Sequence, residues 1–127
     1  MQKLGWVKKF VAQYSHLPIY NLAFDLLKEF YQRVPKFSKQ YKYFLGGRLV
    51  EYNIEIIRLI IETNSERDTK KRTNLLKDLG EKIELLIIHL RIANELKQLG
   101  QQKSYLFLVE KAVNLSRQAE GWRKSTK

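Results

Sequence analysis

Cysteine is absent from the 127 residues, which excludes disulfides, thiolate zinc sites, iron–sulfur clusters and cysteine nucleophiles together. A reducing cytoplasm is the expected setting. Proline and glycine are scarce, with 2 and 6 residues, so little material exists for the turn-dense loops of a sandwich or barrel. Long apolar runs are missing too: stretches such as Leu85 to Ile88 fall far short of the roughly 20 residues that a bilayer span needs, and no membrane association is expected. The first ten residues carry Lys3, Lys8 and Lys9 without an apolar centre or a small-residue cleavage site, so they do not read as a secretory signal. Acidic residues are outnumbered, 13 Asp plus Glu against 24 Lys plus Arg, for a formal net charge of +11. That excess favours a polyanionic partner, either nucleic acid or an acidic protein surface. The length suits one core and no second domain.

Apolar spacing predicts four helices and an all-α fold. The first opens at Pro18, suited to a first-turn position, continues through Leu22, Leu26 and Phe30, and stops at Val34-Pro35. The second runs from a Ser38 cap to about Asn64 and contains Gly46-Gly47, a pair that costs ~2 kcal/mol of propensity relative to alanine and implies close packing. Asp68 or Thr69 caps a third helix reaching Leu99, with Gly100 as terminator, and Ser104 to Trp122 makes the fourth. Short connections predict an up-down-up-down antiparallel four-helix bundle over residues 17–127. Residues 1–16 form a basic and aromatic N-terminal arm in which Trp6, Phe10 and Tyr14 recur every fourth residue.

The two middle helices are unusually apolar. On helix two, Leu45, Leu49, Tyr52, Ile56, Leu59 and Ile60 share one side, and Val50, Ile54, Ile57 and Ile61 widen the arc to roughly 220°. Helix three has one seam of Leu79, Ile83, Leu86, Leu90 and Ala93, and a second of Leu85, Ile88, Ile92, Leu96 and Leu99. A bundle helix normally buries one stripe. The second stripes therefore mark an oligomer interface through Val50, Ile54, Ile57, Ile61, Leu85, Ile88, Ile92 and Leu96, unless Tyr20, Phe24, Phe30, Tyr31 and the arm cover them within one chain.

Catalytic constellations are missing. His16 and His89 are far apart, and His89 lies between two apolar seams, as a packed histidine would. No phosphate loop of Walker or Rossmann type and no Glu-x-x-His metal spacing occurs. Glu51, Glu55 and Glu62 share a face with Arg48 and Arg58, the pattern of a solvated ion-pair strip. Neither a catalytic site nor a cofactor or metal is expected.

Charge is unevenly placed. Residues 1–16, 65–73 and 117–127 contribute +3, +2 and +3, and the expected topology brings all three to one end. Arg67, Lys70, Lys71, Arg72, Arg123 and Lys124 belong to this cluster. A second cluster, Arg33, Lys36, Lys39, Lys42 and Arg48, surrounds the first loop and is interleaved with Phe37, Tyr41 and Tyr43. Lysine and arginine beside exposed aromatics suit phosphate contacts with base stacking; the plainer alternative is a solubilising surface.

Phe24-Asp25-Leu26-Leu27, Val34-Pro35-Lys36, Phe44-Leu45-Gly46-Gly47-Arg48-Leu49, Ile61-Glu62-Thr63-Asn64 leading into Ser65-Glu66-Arg67-Asp68, and Gly121-Trp122 follow one another in an order that resembles a family of small four-helix-bundle proteins. It includes the accessory variability determinant (Avd) of diversity-generating retroelements and the protein encoded in 23S rRNA intervening sequences. The resemblance spans about residues 19–122. Residues 1–16 have no counterpart in it, and Gly47 departs from its pattern. The Avd-like resemblance implies a non-catalytic, basic homopentamer that binds a reverse transcriptase with its template RNA and cDNA. The intervening-sequence resemblance implies an association with ribosomal RNA. Outside the family, a helical adaptor for an acidic protein fits the same charge.

Overall fold

The computed structural model describes Tyr14 and residues 16–126, and among these the regular structure is entirely helical. The expected arm, with Lys3, Lys8, Lys9, Trp6 and Phe10, lies outside the described residues apart from Tyr14 and His16. Helix α1 spans Pro18–Arg33 with proline in its first turn, where no intrahelical N–H is needed. A short 3-10 turn, Val34–Lys36, ends it. After a single helical turn at Lys39–Tyr41 and a π-helical segment at Lys42–Gly46, α2 spans Gly47–Ser65. Helix α3 spans Thr69–Glu95 and α4 spans Gln102–Ser125.

Helix α1 packs on α2 and α4, and α3 packs on the same two, so the four helices close a ring around one core. The buried positions repeat in alternating steps of four and three: Ile19, Ala23, Leu26 and Phe30 on α1, and Leu76, Leu79, Ile83, Leu86, Leu90 and Ala93 on α3. Leu108, Ala112, Leu115 and Ala119 continue the pattern on α4. That spacing is the knobs-into-holes seam of aligned helices. On α2 the same register, Leu49, Asn53, Ile56, Ile60 and Thr63, includes two buried polar residues. Asn53 Nδ2 donates to the Ala23 carbonyl at 2.8 Å, which ties the register of α2 to that of α1.

Several local expectations are corrected. Helix two is helical from Lys39 to Ser65, close to the expected span, but it carries a π-helical segment at Lys42–Gly46, and Gly46 is buried where any Cβ would collide with Val34 Cγ1, in keeping with the close packing expected of the glycine pair. Ser38 stands at the N-cap position, but its side chain makes no capping hydrogen bond. Its amide and hydroxyl both donate to Gln98 Oε1, at 2.7 and 3.0 Å. Asp68 does cap α3, accepting from the Lys71 amide at 2.9 Å. The end of α3 comes at Glu95, well before Leu99. Gln98 N–H donates to the Ala93 carbonyl and Lys97 N–H to that of Asn94, with Lys97 left-handed at φ 59°. This is a Schellman closure with lysine where glycine is usual. Gly100, at φ 78°, reverses the chain again and lets α4 start at Gln102, two residues before Ser104. Leu99 leaves the outer seam of α3 and enters the core.

The outer stripes are solvent-facing. Ile54, Ile88, Ile92 and Leu96 are exposed, Ile88 by 50%, while Val50, Ile57, Ile61 and Leu85 are half-buried. The aromatics of α1 do not cover them: Phe30 is in the core, Tyr20 is half-buried, and Phe24 and Tyr31 are themselves exposed.

Candidate nucleic-acid interface

The Ser38 to Gln98 hydrogen bonds join the α1–α2 connection to the α3–α4 connection at one end of the bundle. A cleft of about 520 Å³ opens there, lined by Glu29, Arg33, Lys36, Lys97, Gln101 and Ser104. A neighbouring hollow adds Lys103 and Phe107. Lys97 and Lys103 join this pole without having been expected there, because they flank a loop that only the topology brings beside Lys36. Outside the cleft, Lys39, Lys42 and Arg48 accompany the π-helical segment, where Tyr43 and Phe44 project into solvent. The expected exposure of Phe37 is corrected. Phe37 is 4% exposed and belongs to the core, while Phe44, in the π-helical segment, is 85% exposed.

At the opposite end, Trp122 of α4 lines one hollow with Leu17, Pro18 and Ile19 at the start of α1, and Arg72 of α3 stacks over its ring at 5.5 Å. This brings Arg67, Lys70, Lys71, Arg72, Arg123 and Lys124 to one pole, as expected from the sequence.

The cations are not equivalent. Arg33 Nε pairs with Glu29 at 2.9 Å, and Arg48 lies 3.8 Å from Glu51, with which the sequence already placed it in an ion-pair strip, so these two members of the cluster are compensated. Arg123 is held by Glu120, Nε to Oε2 3.0 Å, and that hydrogen bond draws the Glu120 carboxyl below the usual range. Arg72 Nε is buried without a hydrogen-bond partner, which makes this residue a packing element against Trp122. Among the described residues, no carboxylate lies within ion-pair distance of Lys36, Lys39, Lys42, Lys97 or Lys103 at one pole, or of Arg67, Lys70, Lys71 or Lys124 at the other. These nine are available to phosphate groups.

On the flank of α2, Arg58 bridges Glu55 and Glu62, and hydrogen bonding to Arg58 lowers the Glu55 pKa. The strip is self-neutralised, as expected. His89 is packed: its Nδ1 donates to the Leu85 carbonyl at 2.8 Å, and its ring meets Tyr52 edge-on at 4.9 Å. Among the described residues, no group of three or more His, Asp or Glu side chains is placed to hold a metal ion, and no helix is long and apolar enough to cross a membrane. Compared with known proteins, the chain matches no family model and no curated protein.

Proposed function

We propose that this chain is a non-catalytic nucleic-acid-binding accessory protein that acts as a homo-oligomer in the cytoplasm, its helices ordered up-down-up-down. The observation that carries the reading is the gathering of cations without carboxylate partners at the two poles of the bundle. A surface that only needed solubility would intersperse both signs, as α2 does with Arg58, Glu55 and Glu62. The outer apolar stripe on α2 and α3 supports assembly. The resemblance to the accessory variability determinants supplies the more specific form of the proposal: a pentamer that carries RNA and cDNA for a reverse transcriptase in a diversity-generating retroelement.

Salt-dependent binding tests it. Log K for a structured RNA should fall by about 0.7 to 0.9 per phosphate contact per decade of salt. Replacing Arg67, Lys70 and Lys71 with glutamine should flatten that slope and leave helicity intact, and so should replacing Lys36, Lys39 and Lys42. Arg72 is left out because its loss disturbs Trp122. Absence of binding by the wild-type protein at low salt overturns the reading in favour of an adaptor for an acidic protein.

A further inference from the structure

Tyr43 and Phe44 are the most exposed large hydrophobic side chains described, at 77% and 85%. They are consecutive residues, about 100° apart around the helix axis, and both fall on its solvent-facing side. Here the π-helical segment holds them out together, and its anchors are secure: Leu45 and Gly46 are buried, with Gly46 seated on Val34. Of the other exposed rings, Phe24 and Phe107 are attended by cations and Tyr31, 56% exposed, is not. Phe24 lies under Lys28 at 5.4 Å, and Phe107 lies under Lys111 at 4.9 Å and Arg33 at 5.9 Å. Among the described residues no ring or cation stacks on Tyr43 or Phe44. Arg48 and Glu51, 3.8 Å apart, line the hollow beside them, and Lys39 in the preceding turn and Lys42 at the start of the segment have no acidic partner within ion-pair distance among the described residues.

We propose that Tyr43 and Phe44 form a stacking shelf for unpaired bases of a single-stranded nucleic acid whose phosphates are held by Lys39 and Lys42. This rests on the nucleic-acid reading above and adds the form of ligand taken at this pole. Bare aromatic faces beside cations match the chemistry of a single strand, which presents π-faces and phosphates in alternation. A duplex keeps its bases stacked on one another and offers the rings nothing but its backbone. A second copy of this chain would bring a like-charged pole to the same place, so charge complementarity selects the polyanion.

The experiment measures binding of an unstructured oligoribonucleotide and of a duplex of equal length, at several salt concentrations, with light scattering and circular dichroism on each protein. Wild type binds the single strand more tightly. Tyr43→Ala with Phe44→Ala weakens single-strand binding about tenfold or more, spares the duplex, and leaves the salt slope unchanged because no cation is lost. Tyr43→Leu with Phe44→Leu falls with the alanine pair, since leucine keeps apolar surface without a stacking face, whereas the tryptophan pair retains binding. A leucine pair of full affinity, equal weakening on the duplex, or an alanine pair of changed oligomer mass overturns the shelf. Should the alanine pair lose helicity, the leucine and tryptophan pairs decide by the same criterion. Wild type that binds neither probe removes the nucleic-acid reading itself, whereas binding of both by an unimpaired alanine pair removes the shelf alone.

Discussion

Gly46 and Gly47 are adjacent in sequence but meet opposite environments. A Cβ on Gly46 runs into Val34 Cγ1, while one on Gly47 meets nothing within 4 Å. Gly46→Ala should therefore destabilise the fold by about 1–3 kcal/mol, as overpacked core positions do. Gly47→Ala should stabilise it by roughly 0.5–1 kcal/mol through helix propensity and the unfolded chain. Urea denaturation of both variants checks the contrast, and Val34→Ala should recover part of the Gly46→Ala loss as a coupled pair. Lys97 carries a different conflict, because a left-handed backbone at φ 59° costs a non-glycine residue about 1–2 kcal/mol. Lys97→Gly should raise the unfolding midpoint and yet weaken RNA binding with a shallower salt slope, since it removes a cation from the cleft beside Arg33 and Lys36. A rise in stability with unchanged binding would take Lys97 out of the contact surface.

Helix α2 shows how one element serves two faces. Its inner seam carries Leu49, Ile56 and Ile60 with Asn53, and its outer flank carries the Arg58 bridge to Glu55 and Glu62. Hydrogen bonding to Arg58 holds the folded-state pKa of Glu55 below its ordinary value. The associated stability is therefore present above the ordinary glutamate range and is lost as pH falls through the lowered value. Both side chains are well exposed, so the contribution stays below about 1 kcal/mol and shrinks further in salt. Glu55→Gln should lower stability at neutral pH by that small amount at low ionic strength and converge with wild type at acid pH, where the carboxyl is protonated in both states, so the acid limb of the stability–pH curve is flattened.

At the scale of the molecule, the ring of four helices satisfies one core and leaves an apolar stripe across α2 and α3. Ile88, half exposed in the middle of that stripe, is the natural place to test assembly. Ile88→Glu with Ile92→Glu should convert the oligomer to a 15.2 kDa monomer by light scattering, with helicity retained because neither residue belongs to the core. A wild-type protein that is already monomeric at micromolar concentration would remove the assembly from the proposal. In the proposed assembly the polar cations would hold phosphate and the apolar waist would join subunits, so that each added subunit adds phosphate contacts without any change within the chain.

The helical class, the cap at Asp68 and the inner seam of Leu79, Ile83, Leu86, Leu90 and Ala93 were legible from the sequence, because each depends on spacing along one helix or on a hydrogen bond within four residues. The surplus stripes were legible for the same reason. Tertiary contact alone decided the rest. Gly46 seats against Val34 within a π-helical segment, Phe37 and Leu45 enter the core, and Phe44 stands in solvent. Ser38 gives its donors to Gln98, 60 residues away, and not to its own helix. Lys97 and Lys103 reach the pole of Arg33 and Lys36 only after the connections meet. Periodicity reports which way a side chain points from its own helix, whereas the partner it meets depends on where another helix lies.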